Sequence, residues 1–92
     1  MDLQEARAVI DELDLEITQL LEKRLEVVKD VALYKQAHGM EIYQKNREDA
    51  VYEKVTSYLK NKNHQKRLRN IYQAMMAASK DYQAEVLEQD KK

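Results

Sequence analysis

Apolar residues recur every three or four positions over the first third of the chain. They are Leu3, Ile10, Leu13, Ile17, Leu20, Leu21, Val28 and Val31. This spacing predicts one long helix over about residues 3–38, and Gly39 suits the left-handed position that follows a helix. The same periodicity predicts a second helix over about residues 46–60 and a third over about residues 65–87. The chain is therefore expected to be all-α, with residues 1–92 forming one domain of three helices.

The first predicted helix is too long for a compact domain of this size. At 1.5 Å per residue it spans ~54 Å, whereas a compact chain of 92 residues has a radius of gyration of about 12 Å. The two shorter helices, at ~25 to 35 Å each, cannot cover its apolar side if they stack beside each other. A second copy of the chain would most simply cover the apolar side of this helix. We therefore expect an intertwined homodimer in which the first helices pair antiparallel.

The composition narrows the class of protein. Of the 92 residues, 43% are hydrophobic and 36% charged, with one glycine and no proline, which is typical of a helical chain. Sixteen basic and seventeen acidic residues give a formal net charge of −1, so no general attraction to nucleic acid or to an anionic membrane is expected. The absence of cysteine excludes disulfides and cysteine-ligated metals. No segment resembles a signal peptide or a membrane span, so a soluble, cytoplasmic protein is expected.

Three cations interrupt the apolar side of the first predicted helix. Arg7, Arg24 and Lys35 lie three or four residues from members of the apolar series. Because a buried charge without a partner costs several kcal/mol, this pattern indicates a site for a small molecule with several negative charges. Arg24 and Lys35 are ~16 Å apart along the helix axis, whereas Arg7 is about 25 Å before Arg24. In an antiparallel dimer the partner's Arg7 can reach the pocket, which gives two sites per dimer.

The other two predicted helices also carry polar residues beside their apolar sides. On the third helix, Ser79 and Gln83 are one turn apart next to the methionine and tyrosine positions. At the start of the second helix, Arg47 and Glu48 precede apolar residues by four positions. These groups suit carboxylates held by arginine and neutral oxygens held by single hydrogen bonds. They include neither a nucleophile–base pair nor a cluster of metal ligands.

These segments resemble the all-helical chorismate mutases over nearly the whole chain. The residues that carry the resemblance are Ala6–Asp14, Leu20–Arg24, Tyr34-Lys35, Asn46-Arg47-Glu48 and the pair Ser79 and Gln83. The resemblance implies an intertwined dimer of three-helix chains that converts chorismate to prephenate, a step of phenylalanine and tyrosine biosynthesis. It also implies that neither a cofactor nor a metal takes part.

The resemblance further implies a role for each polar residue. Arg24 and the partner's Arg7 would hold the two substrate carboxylates, and the residues that assist them would be Arg47 and Ser79. Lys35 and Gln83 would donate to the ether oxygen, while Glu48 would accept from the ring hydroxyl. Gln44 stands where the family often has an aspartate that helps to bind this hydroxyl, so Gln44 is expected to contribute a hydrogen bond without a charge.

Two other functions remain open from the sequence. An isochorismate–pyruvate lyase of the same fold has a similar set of arginine and lysine residues, although the presence of both Glu48 and Ser79 favours the mutase. A helical dimerisation module without a ligand is the third possibility. It would tolerate the loss of Arg24 or Lys35, whereas an enzyme of either kind would not.

Overall fold

A computed structural model describes residues 1–90, and within that range all regular secondary structure is helical. Helix α1 comprises Leu3–Ala37, α2 comprises Lys45–Ser57, a short 3₁₀ helix comprises Lys62–His64, and α3 comprises Gln65–Asp90. The all-α prediction is therefore confirmed for these residues. Over the same range, no helix combines the length and apolarity that a membrane crossing requires. Residues 91–92 of the predicted domain lie outside the described residues.

Both ends of α1 are fixed by local hydrogen bonds. Asp2 precedes the helix, and its carboxylate accepts from the backbone N–H of Glu5 at 2.8 Å, which satisfies one of the free donors of the first turn. At the other end Gly39 has φ +63°, the left-handed conformation that the sequence predicted. The N–H of Met40 then donates to the carbonyl of Lys35 at 2.8 Å. The helix thus ends at Ala37, one residue before the predicted boundary.

Helix α2 is shorter than the sequence predicted. It begins at Lys45 and ends at Ser57, three residues before the expected end at residue 60. The ammonium of Lys62 donates to the carbonyls of Thr56 at 2.9 Å and of Ser57 at 3.4 Å. The carbonyl of Thr56 also accepts from the backbone N–H of Leu59 at 3.2 Å, so the lysine adds to the hydrogen bonds that satisfy the last carbonyls of the helix. Helix α3 begins at Gln65 as expected and continues to Asp90, three residues beyond the predicted end.

Helix α3 packs against both α1 and α2 and forms most of the core. The buried apolar residues are Ala32 on α1 with Met76 and Val86 on α3. Ser79 and Gln83, on the same side of α3, are also buried, each with 6% of its surface exposed. The core is therefore small, and polar groups make up a large part of it.

The first half of α1 extends beyond the other helices. The chain measures 52 × 27 × 15 Å, and its radius of gyration of 16.3 Å exceeds the ~12 Å of a compact domain of this length. Apolar side chains of this half are accessible to solvent, among them Ile10 at 52%, Leu13 at 50% and Ile17 at 51%. Within one chain, the shorter helices leave this apolar surface uncovered, as the helix lengths predicted.

Replacing Gly39 is expected to destabilise the chain through the backbone alone. Nothing lies within 4 Å of the position that a Cβ atom would take, so Gly39→Ala meets no steric obstacle there. The positive φ nevertheless costs an alanine about 1 kcal/mol of unfolding free energy. Gly39→Asn, which tolerates this conformation better, is expected to lose less. Urea denaturation of both variants checks this order, and equal stabilities of Gly39→Ala and wild type would contradict it.

Candidate active site

A cavity of about 260 Å³ lies where the second half of α1, the start of α2 and α3 meet. Seven of the eight residues that the sequence predicted for a site line it: Arg24, Lys35, Gln44, Arg47, Glu48, Ser79 and Gln83. Valine, isoleucine and methionine side chains supply its apolar walls. Helical spacing selected six of them, and the resemblance added Gln44; the tertiary structure brings all seven together from three segments of the chain.

Arg24 and Ser79 form one polar contact of this pocket. The guanidinium of Arg24 donates to the Ser79 hydroxyl at 2.7 Å, and that hydroxyl donates to the backbone carbonyl of Met75 at 2.9 Å. Because Ser79 is buried and both of its hydrogen bonds are made, it fixes the position of the arginine. A guanidinium has five N–H donors, so most of its capacity to bind an anion is left.

Lys35 and Gln83 form a second polar contact. The ammonium of Lys35 donates to the side-chain oxygen of Gln83 at 3.1 Å and to the backbone carbonyl of Ile42 at 2.8 Å. Because the amide oxygen of Gln83 accepts from Lys35, the amide nitrogen is the end that remains to donate to a ligand. Two donors of this pocket, one charged and one neutral, therefore lie side by side.

The pKa of Lys35 is lowered by its surroundings. Burial is the larger cause, since it disfavours the charged ammonium, and the negative charge of Glu48 partly opposes it. Lys35 is thus a partly desolvated cation, whose attraction for an anion is stronger than that of a surface lysine.

Glu48 is paired with a residue that the sequence analysis did not select. The ammonium of Lys80 lies 3.1 Å from one carboxylate oxygen of Glu48 and 3.5 Å from the other, and Lys80 also lines the cavity. A signal for this residue was present, because Lys80 comes four residues after Met76 and three before Gln83 on one side of α3. A lysine at such a position is usually assumed to extend into solvent.

Gln44 and Arg47 lie nearer the edge of the site. Gln44 lines the cavity, but its amide nitrogen donates to the carbonyl of Glu41 at 2.8 Å within the connector before α2. Its amide oxygen and the second N–H of its amide nitrogen are left to meet a ligand. Arg47 lines the cavity while remaining exposed, as expected of a cation at the rim.

Arg7 is the predicted site residue that one chain does not bring to the pocket. It is exposed on the uncovered half of α1, about 25 Å along the helix axis from Arg24. Its side chain is too short to span that distance.

The charges of the pocket favour an anion. Four basic side chains, Arg24, Lys35, Arg47 and Lys80, and one carboxylate, Glu48, line the cavity. In residues 1–90 there is no group of three or more histidine, cysteine, aspartate or glutamate side chains that could hold a metal ion. The arrangement can bind carboxylates, donate hydrogen bonds to a neutral oxygen beside Lys35 and accept one at Glu48.

Comparisons with known proteins identify a family for most of the chain. Residues 6–84 match the family described as chorismate mutase type II. The chain is also 47% identical over 49 residues to a T-protein of Haemophilus influenzae. That similarity covers 53% of the chain but only 13% of the length of the T-protein.

Because of Lys35, the free energy of unfolding is expected to depend on pH above neutrality. Its pKa in the folded chain lies below the ordinary value of 10.5, so the unfolded chain binds more protons between the two values. The unfolding free energy of the wild type should therefore rise relative to that of Lys35→Met as the pH increases through this interval. Urea denaturation from neutral pH upward measures the difference. Lys29→Met, at an exposed position of the same helix, is the control. The prediction would be contradicted if the difference between wild type and Lys35→Met changed with pH no more than the difference between wild type and Lys29→Met.

Proposed function

This chain belongs to the chorismate mutase type II family, and we propose that it catalyses the rearrangement of chorismate to prephenate. The observation that carries the proposal is the pairing of Lys35 with Gln83 in the same pocket as the Arg24–Ser79 contact. Chorismate has two carboxylates, an ether oxygen and a ring hydroxyl, and the pocket offers matching groups for each. The product is a precursor of phenylalanine and tyrosine.

The arginines bind and orient the substrate. Arg24, held by Ser79, takes one carboxylate, and Arg47 at the rim assists. The reaction is a concerted rearrangement within one molecule, in which a carbon–oxygen bond breaks as a carbon–carbon bond forms. Fixing the flexible side chain of chorismate over its ring therefore removes much of the entropic part of the barrier.

Lys35 and Gln83 stabilise the charge that develops during the reaction. As the carbon–oxygen bond breaks, negative charge grows on the ether oxygen, and both side chains donate to it. In a partly desolvated site such a donor is worth about 3–4 kcal/mol of barrier. The positions of both donors are fixed beforehand, because Lys35 is also bound to the carbonyl of Ile42 and Gln83 is buried.

Glu48 accepts a hydrogen bond from the ring hydroxyl, and Gln44, which also lines the pocket, contributes a further hydrogen bond there. No proton, electron or group is exchanged with the protein in this reaction. The proposal therefore requires neither a cofactor nor a metal. It also includes a cytoplasmic location, because a doubly charged substrate crosses a lipid bilayer poorly.

We also propose that the active form is an intertwined homodimer. The uncovered apolar side of α1 supports this, because antiparallel pairing of two such helices would bury it. A second cavity of about 290 Å³ supports it as well, since it shares Arg24 and Ser79 with the first cavity and is otherwise lined by apolar side chains. The α1 helix of a second copy would fill this cavity and bring the partner's Arg7 to the second carboxylate.

The two alternatives are less well supported. An isochorismate–pyruvate lyase would use similar cations, but the pocket also contains Glu48 and Ser79, which favour the mutase. A dimerisation module would have no use for Gln83 and Ser79 buried against two cations. In such a module these positions would be more stable as apolar residues.

The purified chain is expected to convert chorismate to prephenate, and Lys35→Ala is expected to lower kcat/KM about a hundredfold or more. Lys29→Ala, which removes an exposed lysine of the same helix, is the control and should retain activity. Chromatography of the products after incubation with chorismate or isochorismate identifies the reaction. Pyruvate and salicylate formed from isochorismate would support the lyase instead. If Lys35→Ala keeps most of the activity, its role as the ether-oxygen donor is wrong.

Mixing two inactive variants tests the shared site. Arg7→Ala and Arg24→Ala chains, unfolded together and refolded, are expected to regain about a quarter of wild-type activity, because half of the dimers are mixed and each mixed dimer has one intact site. Arg24→Ala mixed with Lys35→Ala is the matched control. Both of these residues come from the same chain in each site, so no activity should return. If the first mixture also stays inactive, Arg7 does not act across subunits.

A further inference from the structure

Lys80 on α3 contacts two other parts of the chain at the edge of the pocket. Its ammonium is 3.1 Å from the Glu48 carboxylate in the first turn of α2 and 4.7 Å from the centre of the Tyr43 ring. Tyr43 belongs to the connector, which is defined here as residues 38–44 between α1 and α2. One lysine therefore joins α3, α2 and the connector beside the proposed substrate.

We propose that Lys80 is a positioning residue that keeps the Glu48 carboxylate away from Lys35 and holds the connector against the pocket. Its effect on catalysis rests on the proposed function, whereas its effect on the connector does not. Lys80 contacts the group that would accept from the substrate, and the proposed substrate contacts do not include Lys80 itself.

The charges of the pocket explain why Glu48 needs such a partner. Glu48 is the only carboxylate among the lining residues of this cavity within residues 1–90, and it faces several cations. It already influences Lys35 electrostatically. If the carboxylate turned to Lys35, it would occupy the ammonium that the ether oxygen requires. The side chains of Lys80 and Glu48 are 34% and 20% exposed, so their attraction is less screened than that of a surface pair.

The second contact of Lys80 acts on the connector. The cation lies over the face of the Tyr43 ring, where the electron-rich ring attracts it. The neighbouring residue, Ile42, accepts from Lys35 through its backbone carbonyl at 2.8 Å. Lysines of α1 and α3 thus hold adjacent residues of the connector, and loss of Lys80 leaves only one of these contacts.

Kinetics of three variants test the effect on Glu48. Lys80→Met keeps the length of the side chain but removes the charge, and kcat/KM is expected to fall roughly threefold to tenfold, mainly through a higher KM. Lys80→Arg keeps the charge and should recover most of this loss. Lys66→Met, at an exposed position of the same helix outside the cavity, should match the wild type. Circular dichroism and thermal melting establish that each variant is folded.

A double-mutant cycle separates positioning from direct binding. In a Glu48→Gln background, Lys80→Met is expected to change kcat/KM by less than about twofold, because the carboxylate on which Lys80 acts is already gone. Equal losses in both backgrounds would show that Lys80 acts on the substrate directly or through its charge alone. That result would overturn the positioning role.

Amide hydrogen exchange tests the connector without any substrate. Exchange of residues 38–44 is expected to be severalfold faster in Lys80→Met than in wild type or Lys66→Met. Tyr43→Leu should show the same increase and Tyr43→Phe should not, because phenylalanine keeps the ring face. If Lys80→Met does not fold, these two Tyr43 variants still test whether the contact with Lys80 holds the connector.

The possible outcomes are distinct. Unchanged connector exchange in both Lys80→Met and Tyr43→Leu would overturn the holding role. A second outcome is that exchange of the connector is faster in both variants, as expected, while the wild-type chain forms no prephenate. That result would overturn the proposed function and the effect of Lys80 on catalysis, and it would leave the connector contact supported.

Discussion

Two cations on the apolar side of α1 obtain their hydrogen-bond partners from α3. Arg24 binds Ser79, and Lys35, eleven residues later, binds Gln83. The residue numbers increase in the same direction along both helices, so α3 lies parallel to this part of α1. A buried cation without such partners would cost several kcal/mol, so these contacts constrain how α3 can be placed. The same groups that satisfy the cations in the fold also form the proposed site.

Lys35 links the end of α1 to the pocket. Its backbone carbonyl accepts from the N–H of Met40, which closes the helix, and its ammonium binds the carbonyl of Ile42 and the side chain of Gln83. The connector is therefore folded back over the residue that would meet the ether oxygen. This short return brings the first turn of α2, with Glu48, to the same cavity. Lys35 consequently takes part in both the end of the helix and the geometry of the site.

The length of α1 relates the single chain to the proposed dimer. Its second half contacts α3 and carries Arg24 and Lys35, whereas its first half carries Arg7 and remains accessible to solvent. One chain thus contains a pocket with seven of the eight predicted residues and an apolar surface with no partner. In the proposed dimer, one helix would complete the partner's site while its own apolar surface became buried.

The sequence by itself determined the helices and most of the residues that face the pocket. Helical periodicity places Ser79 beside Gln83 and Arg24 on the side of Lys35, and the positive φ of Gly39 follows from the residue type. Spacing cannot say which partner a long side chain takes, because that depends on the distances between groups that lie on different elements. Only the tertiary structure therefore revealed that Lys62 donates to the last carbonyls of α2 and that Lys80 pairs with Glu48. Both are lysines with flexible stems, whose direction is decided by the nearest carbonyl or carboxylate rather than by their own position on a helix.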